Sequence, residues 1–541
     1  MGFNLKRLGS VLGSVITIAL GSWGAIATPA FSAETIVVRR GIASVSVAVD
    51  DLREFARTGQ MPLSLAGYGT LLSPEQRHQL LQVLNLNVSL DPTSVRNLLD
   101  TQIGETILDG ISTVTDIPGG EALKRALIAA AEDPQGLSVL GFLEAYPNPE
   151  LRIDLDEAFA TFARLNHSFW QTQQFMVEMA GQLEATAPEV EVPFDPTQPG
   201  AAAVEVIPFE FQDQERNRTI LADLYWSEAV RSDRPLVVFT HGRGSVRNEL
   251  DYLARHLASH GYGFLALEHP GSNQVYINRA LAMRPEELLE RPRDISFGLD
   301  QLQKWSQTDP EIGRSLNLER VLILGYSLGG STALAIAGGE FQLEFLRERC
   351  QEDAMTLSSG QITQCIGTQL PGDRYQLYDP RVQAAIALNP TASLIFGETG
   401  LSQVRVPTLI FSTSADKLTP ALSDQIAVFP QLPDPKWLVG VLGGTHLSVK
   451  DPDFVLDQSR VPSTPLSGDE VAGLAATDIQ NYVKAFSLAM AAQLTPEAEQ
   501  YQVFLTPEYF QSISTDAFPV RLVTEIPEEI RVLVEAFLRN N

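Results

Sequence analysis

The chain has 541 residues, 44% of them hydrophobic, and a formal net charge of −27 at pH 7. This length favours two domains over one, and the hydrophobic content is ample for globular cores. The acidic balance argues against nucleic acid and anionic membrane surfaces as partners, because both attract basic patches.

The N-terminus has the pattern of an export signal. Lys6 and Arg7 precede an apolar stretch, Val11–Leu20, and small residues with a proline follow in Ala27–Ala33. This order predicts a signal peptide over residues 1–33 and a periplasmic or extracellular protein with no membrane span after cleavage. The alternative is an uncleaved N-terminal membrane anchor, because the uncharged stretch is long enough to span a bilayer.

Residues 34–186 are predicted to form a mostly helical domain of unknown function. Thr35–Val49 has the pattern of one or two strands, Arg152–Leu155 that of another, and helix patterns lie between them. Asp156–Ala185 is predicted to be one long amphipathic helix, which either packs on the neighbouring domain or in part covers an apolar pocket. Its apolar stripe comprises Phe159, Phe162, Phe169, Met176, Val177, Ala180 and Leu183.

Four prolines in residues 187–203 predict a linker between domains. Residues 204–541 then alternate short apolar strands with helices, which predicts an α/β fold with a mainly parallel central sheet. The predicted strands are Val204–Phe211, Arg218–Trp226, Leu236–Thr240, Phe264–Leu267, Val321–Leu324, Ala384–Leu388, Thr408–Ser412 and Trp437–Leu442, and the predicted helices are Arg247–Ser259, Asp294–Trp305 and Val471–Leu494.

A G-x-S-x-G pentapeptide, Gly325–Gly329, directly follows the predicted strand Val321–Leu324 and precedes a helix start at Ser331–Ala337. A nucleophile elbow requires this context, because the strained turn projects the serine hydroxyl above a parallel sheet. Ser327 is therefore the candidate nucleophile. The alternative is an ordinary glycine-rich turn between a strand and a helix.

A serine nucleophile needs a histidine base and an orienting acid, and on this fold the chain order is Ser, acid, His. Of the seven histidines only His446 follows Ser327, in a loop after the predicted strand Trp437–Leu442. Asp416 follows the preceding predicted strand and is the candidate acid, with a helix N-cap as its alternative role. Asn389 occupies a similar strand end, but an amide carries no charge to stabilise an imidazolium.

Two backbone N–H groups are expected to bind the oxyanion of the reaction. One is that of Leu328, directly after the nucleophile. The other is that of Arg243, in the HGRG loop that follows the predicted strand Leu236–Thr240. We expect His241 to hold this loop together, and the Arg243 side chain either to meet an anionic group of the substrate or to be solvated.

The two cysteines, Cys350 and Cys365, form a close pair. In an exported protein such a pair predicts a disulfide, with two buried free thiols as the alternative. Neither has His or Cys neighbours at metal-binding spacing. We therefore expect no metal, and the serine mechanism requires no cofactor.

Several of these stretches resemble a known family. VVFTHGRGSVRNELDYLARHLASHGYGFLALEH (residues 237–269), RPRDI (Arg291–Ile295) and GYSLGG (Gly325–Gly330) resemble platelet-activating-factor acetylhydrolases and related dienelactone-hydrolase-like enzymes, and the likeness covers about Val204–Val449. As a whole, the chain resembles an exported bacterial family in which an N-terminal domain of unknown function, with VDDLREFA and RIDL, is fused to that hydrolase.

The resemblance implies an α/β-hydrolase fold and the same roles for Ser327, His446, Arg243 and Leu328. It departs at the acid, since the acetylhydrolases have theirs where this chain has Asn389, whereas the common α/β-hydrolase position is filled by Asp416. The acetylhydrolase substrate is therefore not carried over. Residues 341–379, which hold both cysteines, are an insertion expected to shape the rim of the pocket.

The sequence thus predicts an exported serine hydrolase that cleaves carboxylic esters, of lipids or of short acyl groups, through an acyl-enzyme. The same residues fit hydrolysis of thioesters or peptides. A non-catalytic ligand-binding protein is a further alternative, because fold does not imply function. The expected partner is a small-molecule or lipid ester rather than nucleic acid, and nothing in the sequence indicates the oligomeric state.

Overall fold

The computed structural model describes residues 33–539 except 41–42, 64–72, 86, 89–91, 100–101, 116–119, 134–136, 147, 155, 159, 161–165, 184–188, 279–282, 352–355 and 453–467. The predicted signal peptide lies outside the described residues apart from Ala33, and so do Phe159 and Phe162 of the predicted apolar stripe. Among the described residues, no helix is long and apolar enough to cross a membrane.

The N-terminal part combines small sheets with short helices. Its strands are β1 (Thr35–Arg40), β2 (Ala43–Ala48), β3 (Asn87–Val88), β4 (Leu137–Ser138) and β5 (Glu150–Asp154), and its helices are α1 (Val49–Thr58), α2 (Pro74–Leu84), α3 (Pro92–Leu99), α4 (Gln102–Val114), α5 (Glu121–Ala130) and α6 (Val139–Ala145). β1 pairs antiparallel with β2 and parallel with β5, so the last strand of this part lies beside its first. Apolar side chains of these elements, Ile36, Leu123 and Leu151 among them, share one core.

Helix α7 (His167–Leu183) leaves this part and packs on the C-terminal part of the chain. The prediction of one continuous helix over Asp156–Ala185 is wrong. Asn166 has φ 53° and is buried, and a residue in this left-handed conformation cannot continue a right-handed helix. Helix α7 therefore starts afresh at His167.

A nine-stranded sheet organises the remaining described residues, in the order β14-β13-β12-β11-β10-β8-β9-β7-β6. Its strands are β6 (Glu205–Asp213), β7 (Arg218–Trp226), β8 (Leu236–Thr240), β9 (Phe264–Glu268), β10 (Val321–Tyr326), β11 (Val382–Leu388), β12 (Thr408–Thr413), β13 (Lys436–Val441) and β14 (Val520–Val523). The six strands from β8 to β13 are parallel, and antiparallel pairs stand at both edges. The predicted α/β-hydrolase fold is confirmed.

Helices cover both faces of this sheet. They are α8 (Asp251–Ser259), α9 (Gln274–Asn278), α10 (Glu287–Ser306), α11 (Pro310–Gly313), α12 (Leu328–Ile336), α13 (Leu343–Arg349), α14 (Ser359–Cys365), α15 (Thr477–Ala492), α16 (Ala498–Tyr501), α17 (Pro507–Ser512) and α18 (Glu528–Arg539). One core lies between the sheet and α10 and α12, and a second lies between the opposite face and α8 and α15. Because both faces are covered, β8 to β10 are buried along their whole length, which explains their unbroken apolar runs.

Short 3₁₀ segments and one π-helical turn connect these elements. The 3₁₀ segments are Ile366–Gln369, Gly400–Gln403, Phe429–Gln431, His446–Val449, Gly473–Ala476 and Gln502–Leu505, and the π-helical turn is Leu422–Ile426. The predicted helix Asp294–Trp305 begins earlier, at Glu287, and contains Pro292 in its first half. Strand β14 and helix α18 have no counterpart among the predicted elements.

Candidate active site

Ser327 stands at the sharp turn between β10 and α12. It has φ 56° and ψ −119°, a conformation that L-residues rarely adopt. The flanking glycines are needed because the chain segments touch: a Cβ at Gly325 would lie 2.0 Å from the Gly329 carbonyl oxygen, and one at Gly329 would lie 2.0 Å from that of Thr240. The turn has the geometry of a nucleophile elbow, and Ser327 lines the pocket above the sheet.

His446 lies between Ser327 and Asp416. Its Nε2 is 3.0 Å from Ser327 Oγ, and its Nδ1 is 2.6 Å from Asp416 Oδ2. The histidine begins the 3₁₀ segment after β13, and the aspartate lies in the loop after β12. The ends of three parallel strands thus bring together the three side chains that the sequence places in this order.

The Asp416 carboxylate is fully buried and held in one orientation by its own loop. Its Oδ1 accepts the backbone N–H groups of Leu418 and Thr419, each at 2.8 Å, and its Oδ2 accepts the Thr419 hydroxyl at 2.8 Å. These contacts leave Oδ2 directed at the imidazole. The N-cap alternative is wrong, because Ala421 and not Asp416 stands at the N-cap of the helical turn Leu422–Ile426. The Asp416 Oδ1 instead binds the turn at Leu418 and Thr419, and its Oδ2 contacts His446.

Asn389, at the end of β11, is not brought to the imidazole in this way. Its backbone has φ 42°, and its Nδ2 donates to Thr413 Oγ1 at 2.8 Å. Its backbone oxygen accepts the Thr419 hydroxyl at 3.1 Å. Asn389 thus supports the loop that carries Asp416, while the carboxylate of Asp416 is the group that contacts His446 Nδ1.

The HGRG loop offers one backbone N–H to the pocket. The Gly242 N–H donates to Glu249 Oε1 at 2.7 Å, and the Gly244 N–H donates to the Ser272 carbonyl at 2.8 Å. Arg243 lies between them, and Arg243 and Leu328 both line the pocket beside Ser327. Within the described part of the chain neither of these two backbone N–H groups has a hydrogen-bond acceptor, as expected of donors that are kept for a ligand.

Two buried histidines support the base of this loop. His241 Nδ1 is 2.6 Å from the Gly242 carbonyl oxygen, and its Nε2 accepts the His269 backbone N–H at 3.0 Å. His269 in turn contacts Thr240 Oγ1 at 2.8 Å and Asp294 Oδ2 at 3.0 Å. Burial, together with the charge of Arg291, lowers the pKa of both imidazoles well below the usual range. These contacts give His241 a structural place in the loop.

Arg291 of the RPRDI motif lies fully buried beneath the same loop. Its guanidinium donates to Ser272 Oγ at 2.8 Å, to Thr240 Oγ1 at 3.1 Å and to the His241 carbonyl oxygen. Burial lowers its pKa to about 10. The sequence marks this motif only by its resemblance to the family. In the structure, the contacts of Arg291 connect α10 to the end of β8.

A second link joins the HGRG loop to the segment after His446. Glu249 is fully buried; it binds the Gly242 N–H and contacts Lys450 Nζ at 3.0 Å. Nearby, the Glu470 carboxylate accepts the Leu447 N–H at 3.1 Å, and burial raises its pKa. Sequence reasoning missed Glu249 and Lys450, because they lie far apart in the chain and no local pattern marks them as a pair.

The pocket above Ser327 has a volume of about 120 Å³. The insertion forms part of its wall, through Ser359, Gly360 and Thr363 of α14. Cys350 and Cys365 are joined by a disulfide, which ties the end of α14 to the end of α13. The remaining lining residues are Gly242, Arg243, Tyr326, Leu328, Thr391, Leu418, Thr419, His446, Leu447 and Lys450.

Helix α7 and the turn before it form hydrogen bonds with the loop that carries Asp416. Gln173 Nε2 donates to the Ser414 carbonyl at 2.8 Å, and Asn166 Nδ2 donates to the Lys417 carbonyl at 2.7 Å. The Leu422 N–H donates to Thr172 Oγ1 at 3.2 Å. These bonds stand on both sides of Asp416, so residues from before the predicted linker help to fix the catalytic loop.

The chain matches two family models and one curated relative. Residues 32–154 match "Alpha/beta hydrolase of unknown function (DUF1400)", and residues 218–461, which contain Ser327, Asp416 and His446, match "Platelet-activating factor acetylhydrolase, isoform II". A curated relative, hydrolase ffsE of Aspergillus flavipes, is 34% identical over 109 residues, which are 19% of this chain and 22% of that protein. The chain thus spans about a fifth of that relative's length. The chain therefore has an α/β-hydrolase fold, and over residues 218–461 it resembles platelet-activating-factor acetylhydrolase.

Proposed function

We propose that this protein is a serine hydrolase that cleaves carboxylic esters through an acyl-enzyme. The observation that carries the proposal is the chain of contacts from Ser327 Oγ to His446 Nε2, at 3.0 Å, and from His446 Nδ1 to Asp416 Oδ2, at 2.6 Å. A nucleophile within reach of its base, and a base within reach of its orienting acid, are the requirements of this chemistry.

In the first step Ser327 Oγ attacks the carbonyl carbon of the ester while His446 Nε2 takes the hydroxyl proton. The carbonyl π electrons move to oxygen and form a tetrahedral oxyanion. The N–H groups of Arg243 and Leu328 stabilise this charge, and loss of one such donor typically costs roughly 10²–10³ in rate. Asp416 stabilises the imidazolium that forms.

In the following steps the imidazolium returns its proton to the departing alkoxide, and the C–O bond of the alcohol breaks. A water molecule then gives a proton to His446 and attacks the acyl carbon. Collapse of the second tetrahedral intermediate releases the carboxylic acid and returns the proton to Ser327. The pocket volume of about 120 Å³ supports a short acyl group at Ser327.

The test is the Ser327→Ala variant. We expect it to lose p-nitrophenyl acetate hydrolysis and covalent labelling by a fluorophosphonate, with an unchanged circular dichroism spectrum. Ser402→Ala, at an exposed serine, is the matched control and keeps both. Hydrolysis that survives in Ser327→Ala, or a label on another serine, refutes the proposal.

A panel of oxyesters, thioesters and peptides defines the bond that is cleaved, and we expect the highest kcat/KM for short oxyesters. If the protein prefers a thioester or a peptide, Ser327 remains the proposed nucleophile, but the proposed class of substrate changes. Inertness toward the whole panel, with Ser327 unlabelled, would favour a non-catalytic binding protein.

We also propose export, on the basis of the charged and apolar order of residues 1–33. Fractionation of cells that express the full chain should place the protein outside the cytoplasm, with an N-terminus created by cleavage before Glu34. A chain that keeps Met1 and stays in the membrane fraction would support the anchor instead.

A further inference from the structure

The proposed reaction uses the backbone N–H of Arg243 and leaves the side chain of this residue without a role. Arg243 lines the catalytic pocket and is exposed to solvent. Its guanidinium forms no hydrogen bond or ion pair with any residue in the described part of the chain. A cation beside Ser327 is therefore free to meet a ligand.

The other charges at the pocket compensate one another. Lys450 Nζ lies 3.0 Å from Glu249 Oε2, and His446 Nδ1 lies 2.6 Å from Asp416 Oδ2. None of the described residues that line the pocket is acidic. Arg243 thus contributes a positive charge that no carboxylate among the described lining residues balances.

The surroundings of the guanidinium favour an anion. Arg243 keeps contact with water, yet burial by the walls around it lowers the pKa of its guanidinium, as expected for a side chain at the mouth of a concave site. An arginine nevertheless keeps its charge at neutral pH. A bound anion would replace the hydration that these walls remove, and the planar guanidinium matches the two oxygens of a carboxylate.

The position of Arg243 limits where such an anion can lie. Its side chain and the N–H group proposed to bind the ester carbonyl oxygen belong to the same residue, so the anion and the carbonyl lie within about one arginine side chain of each other. The pocket of about 120 Å³ admits a short group. Besides Ser327, four lining residues carry aliphatic hydroxyls, which suit a polar group rather than a long hydrocarbon: Ser359, Thr363, Thr391 and Thr419.

We propose that this pocket prefers esters with a carboxylate a few bonds from the scissile carbonyl, and that the Arg243 guanidinium binds this carboxylate. The inference rests on the proposed function, since it places the ester carbonyl oxygen at the N–H groups of Arg243 and Leu328. In a chain of net charge −27, a local cation of this kind also offsets the repulsion that an anionic substrate meets.

The experiment compares pairs of esters that differ in charge and match in size. For the acyl side the pair is monomethyl glutarate and its amide, methyl 4-carbamoylbutanoate; for the alcohol side it is acetoxyacetate and acetoxyacetamide. In the parent protein we expect kcat/KM to be about tenfold higher for the carboxylate of at least one pair, as is typical of a charge-assisted hydrogen bond. The pair that shows this preference identifies the side of the ester bond on which the anion lies.

Variants of Arg243 test the location, each with an unchanged circular dichroism spectrum. Arg243→Gln should bring the ratio of kcat/KM for carboxylate to amide close to one. The ratio cancels any general loss of rate that a change in the oxyanion loop causes. Arg243→Lys keeps the charge without the planar fork and should give a ratio between those of Arg243→Gln and the parent. Arg314→Gln, at an exposed arginine outside the pocket, is the matched control and should keep the ratio of the parent.

Binding to the Ser327→Ala chain separates this inference from the proposed function. In isothermal titration, the carboxylate of the preferred pair should bind about tenfold more tightly than its amide, and Arg243→Gln in the same chain should remove the difference. If the parent hydrolyses none of the esters while this difference in affinity persists, the proposed function fails and the anion site stands. If the parent hydrolyses carboxylate and amide equally well, the proposed function stands and this inference fails.

The inference is overturned if neither kcat/KM nor affinity distinguishes carboxylate from amide in either pair. It is also overturned if Arg243→Gln keeps the preference of the parent, because the anion then lies elsewhere. Equal ratios in Arg243→Lys and Arg243→Gln would contradict a role for the positive charge.

Discussion

In the proposed mechanism, Asp416 supplies the charge that a protonated His446 requires. Because its Oδ2 lies 2.6 Å from His446 Nδ1, we expect Asp416→Asn to lower kcat by roughly 10³–10⁴ with little change in KM. The amide would favour the wrong tautomer and leave the imidazolium without a counter-charge. Steady-state kinetics on a p-nitrophenyl ester measures the effect.

The control for this variant is Asn389→Ala, which removes the other strand-end candidate. Asn389 donates to Thr413 and makes no contact with the imidazole, so we expect its loss to cost less than about tenfold in kcat. If Asp416→Asn kept most of its activity while Asn389→Ala lost it, the acid would be misassigned.

Asp424 makes the stability of the protein depend on pH. Burial raises the pKa of its carboxyl from 3.8 to about 6, although Oδ1 accepts Ala392 N–H, Ser393 N–H and Gln364 Nε2. The folded protein therefore keeps this proton to higher pH than the unfolded chain does. Its contribution to stability falls as the pH rises from about 4 to about 6.

Asp424→Asn removes this titration while keeping an oxygen for the same donors. Relative to the parent, the free energy of unfolding of the variant should rise by about 2 kcal/mol between about pH 4.5 and about pH 7.5. Urea denaturation at the two pH values measures the difference. A difference that stays constant across this range would show that Asp424 does not titrate there.

At the scale of residues, the sequence predicts the candidate site residues that follow a characteristic order along the chain. Ser327, Asp416 and His446 follow strand ends in the order typical of this fold, so the sequence could single them out as candidates, and the structure brings their side chains into contact. Glu249 and Arg291 were not, because their roles come from contacts with distant parts of the chain, Lys450 for Glu249 and the His241 carbonyl for Arg291, that no local pattern predicts.

Among the elements, helix α7 is expected to keep the loop that carries Asp416 in position. Gln173→Met removes the donor to the Ser414 carbonyl at 2.8 Å and keeps the size of the side chain. We expect kcat to fall by roughly three- to tenfold with KM unchanged, because a loosened loop misaligns Asp416. Gln174→Met, at the next and exposed position, is the matched control. Equal kinetics for both variants would contradict this role.

The disulfide fixes the wall of the catalytic pocket that α14 provides. Its two cysteines are 15 residues apart, and a loop of this size is stabilised by about 3 kcal/mol in the chain-entropy model. Replacing both cysteines by serine should lower the melting temperature. Since Ser359, Gly360 and Thr363 of α14 line the pocket, it should also raise the ratio of kcat/KM for hexanoate to that for acetate esters.

The matched comparison is the parent protein after mild reduction. It should show the same change in acyl preference, and reoxidation should restore the original ratio. An unchanged ratio in both forms would mean that α14 is held by its other contacts.

Helices and strands with a clear apolar pattern in their own sequence were predicted closely. Elements that depend on contacts with distant parts of the chain were missed. The observed β7 and β8 have the predicted bounds, since their apolar runs are unbroken or alternate cleanly. Strand β14 has only four residues, and it forms by pairing antiparallel with the edge of β13. The break at Asn166 depends on its buried bond to the Lys417 carbonyl, which lies far away in the sequence.

For the whole molecule, the net charge of −27 should make stability depend on salt. Repulsion among like charges opposes the compact state, and salt screens it, with a Debye length of about 10 Å at 0.1 M. We expect the melting temperature to rise as NaCl is increased from about 10 mM to about 300 mM at pH 7. The rise should shrink near the pI of about 4.6, where little net charge is left. A melting temperature that falls with salt at pH 7 would contradict this.

The predicted linker at residues 187–203 divides the chain after α7, yet α7 belongs with the sheet that follows. We propose that the functional hydrolase unit begins at Asn166. A gene fragment that starts at the linker would still encode Ser327, Asp416 and His446, but the carbonyls of Ser414 and Lys417 would lose their donors. A fragment that starts before Asn166 would keep both of these hydrogen bonds.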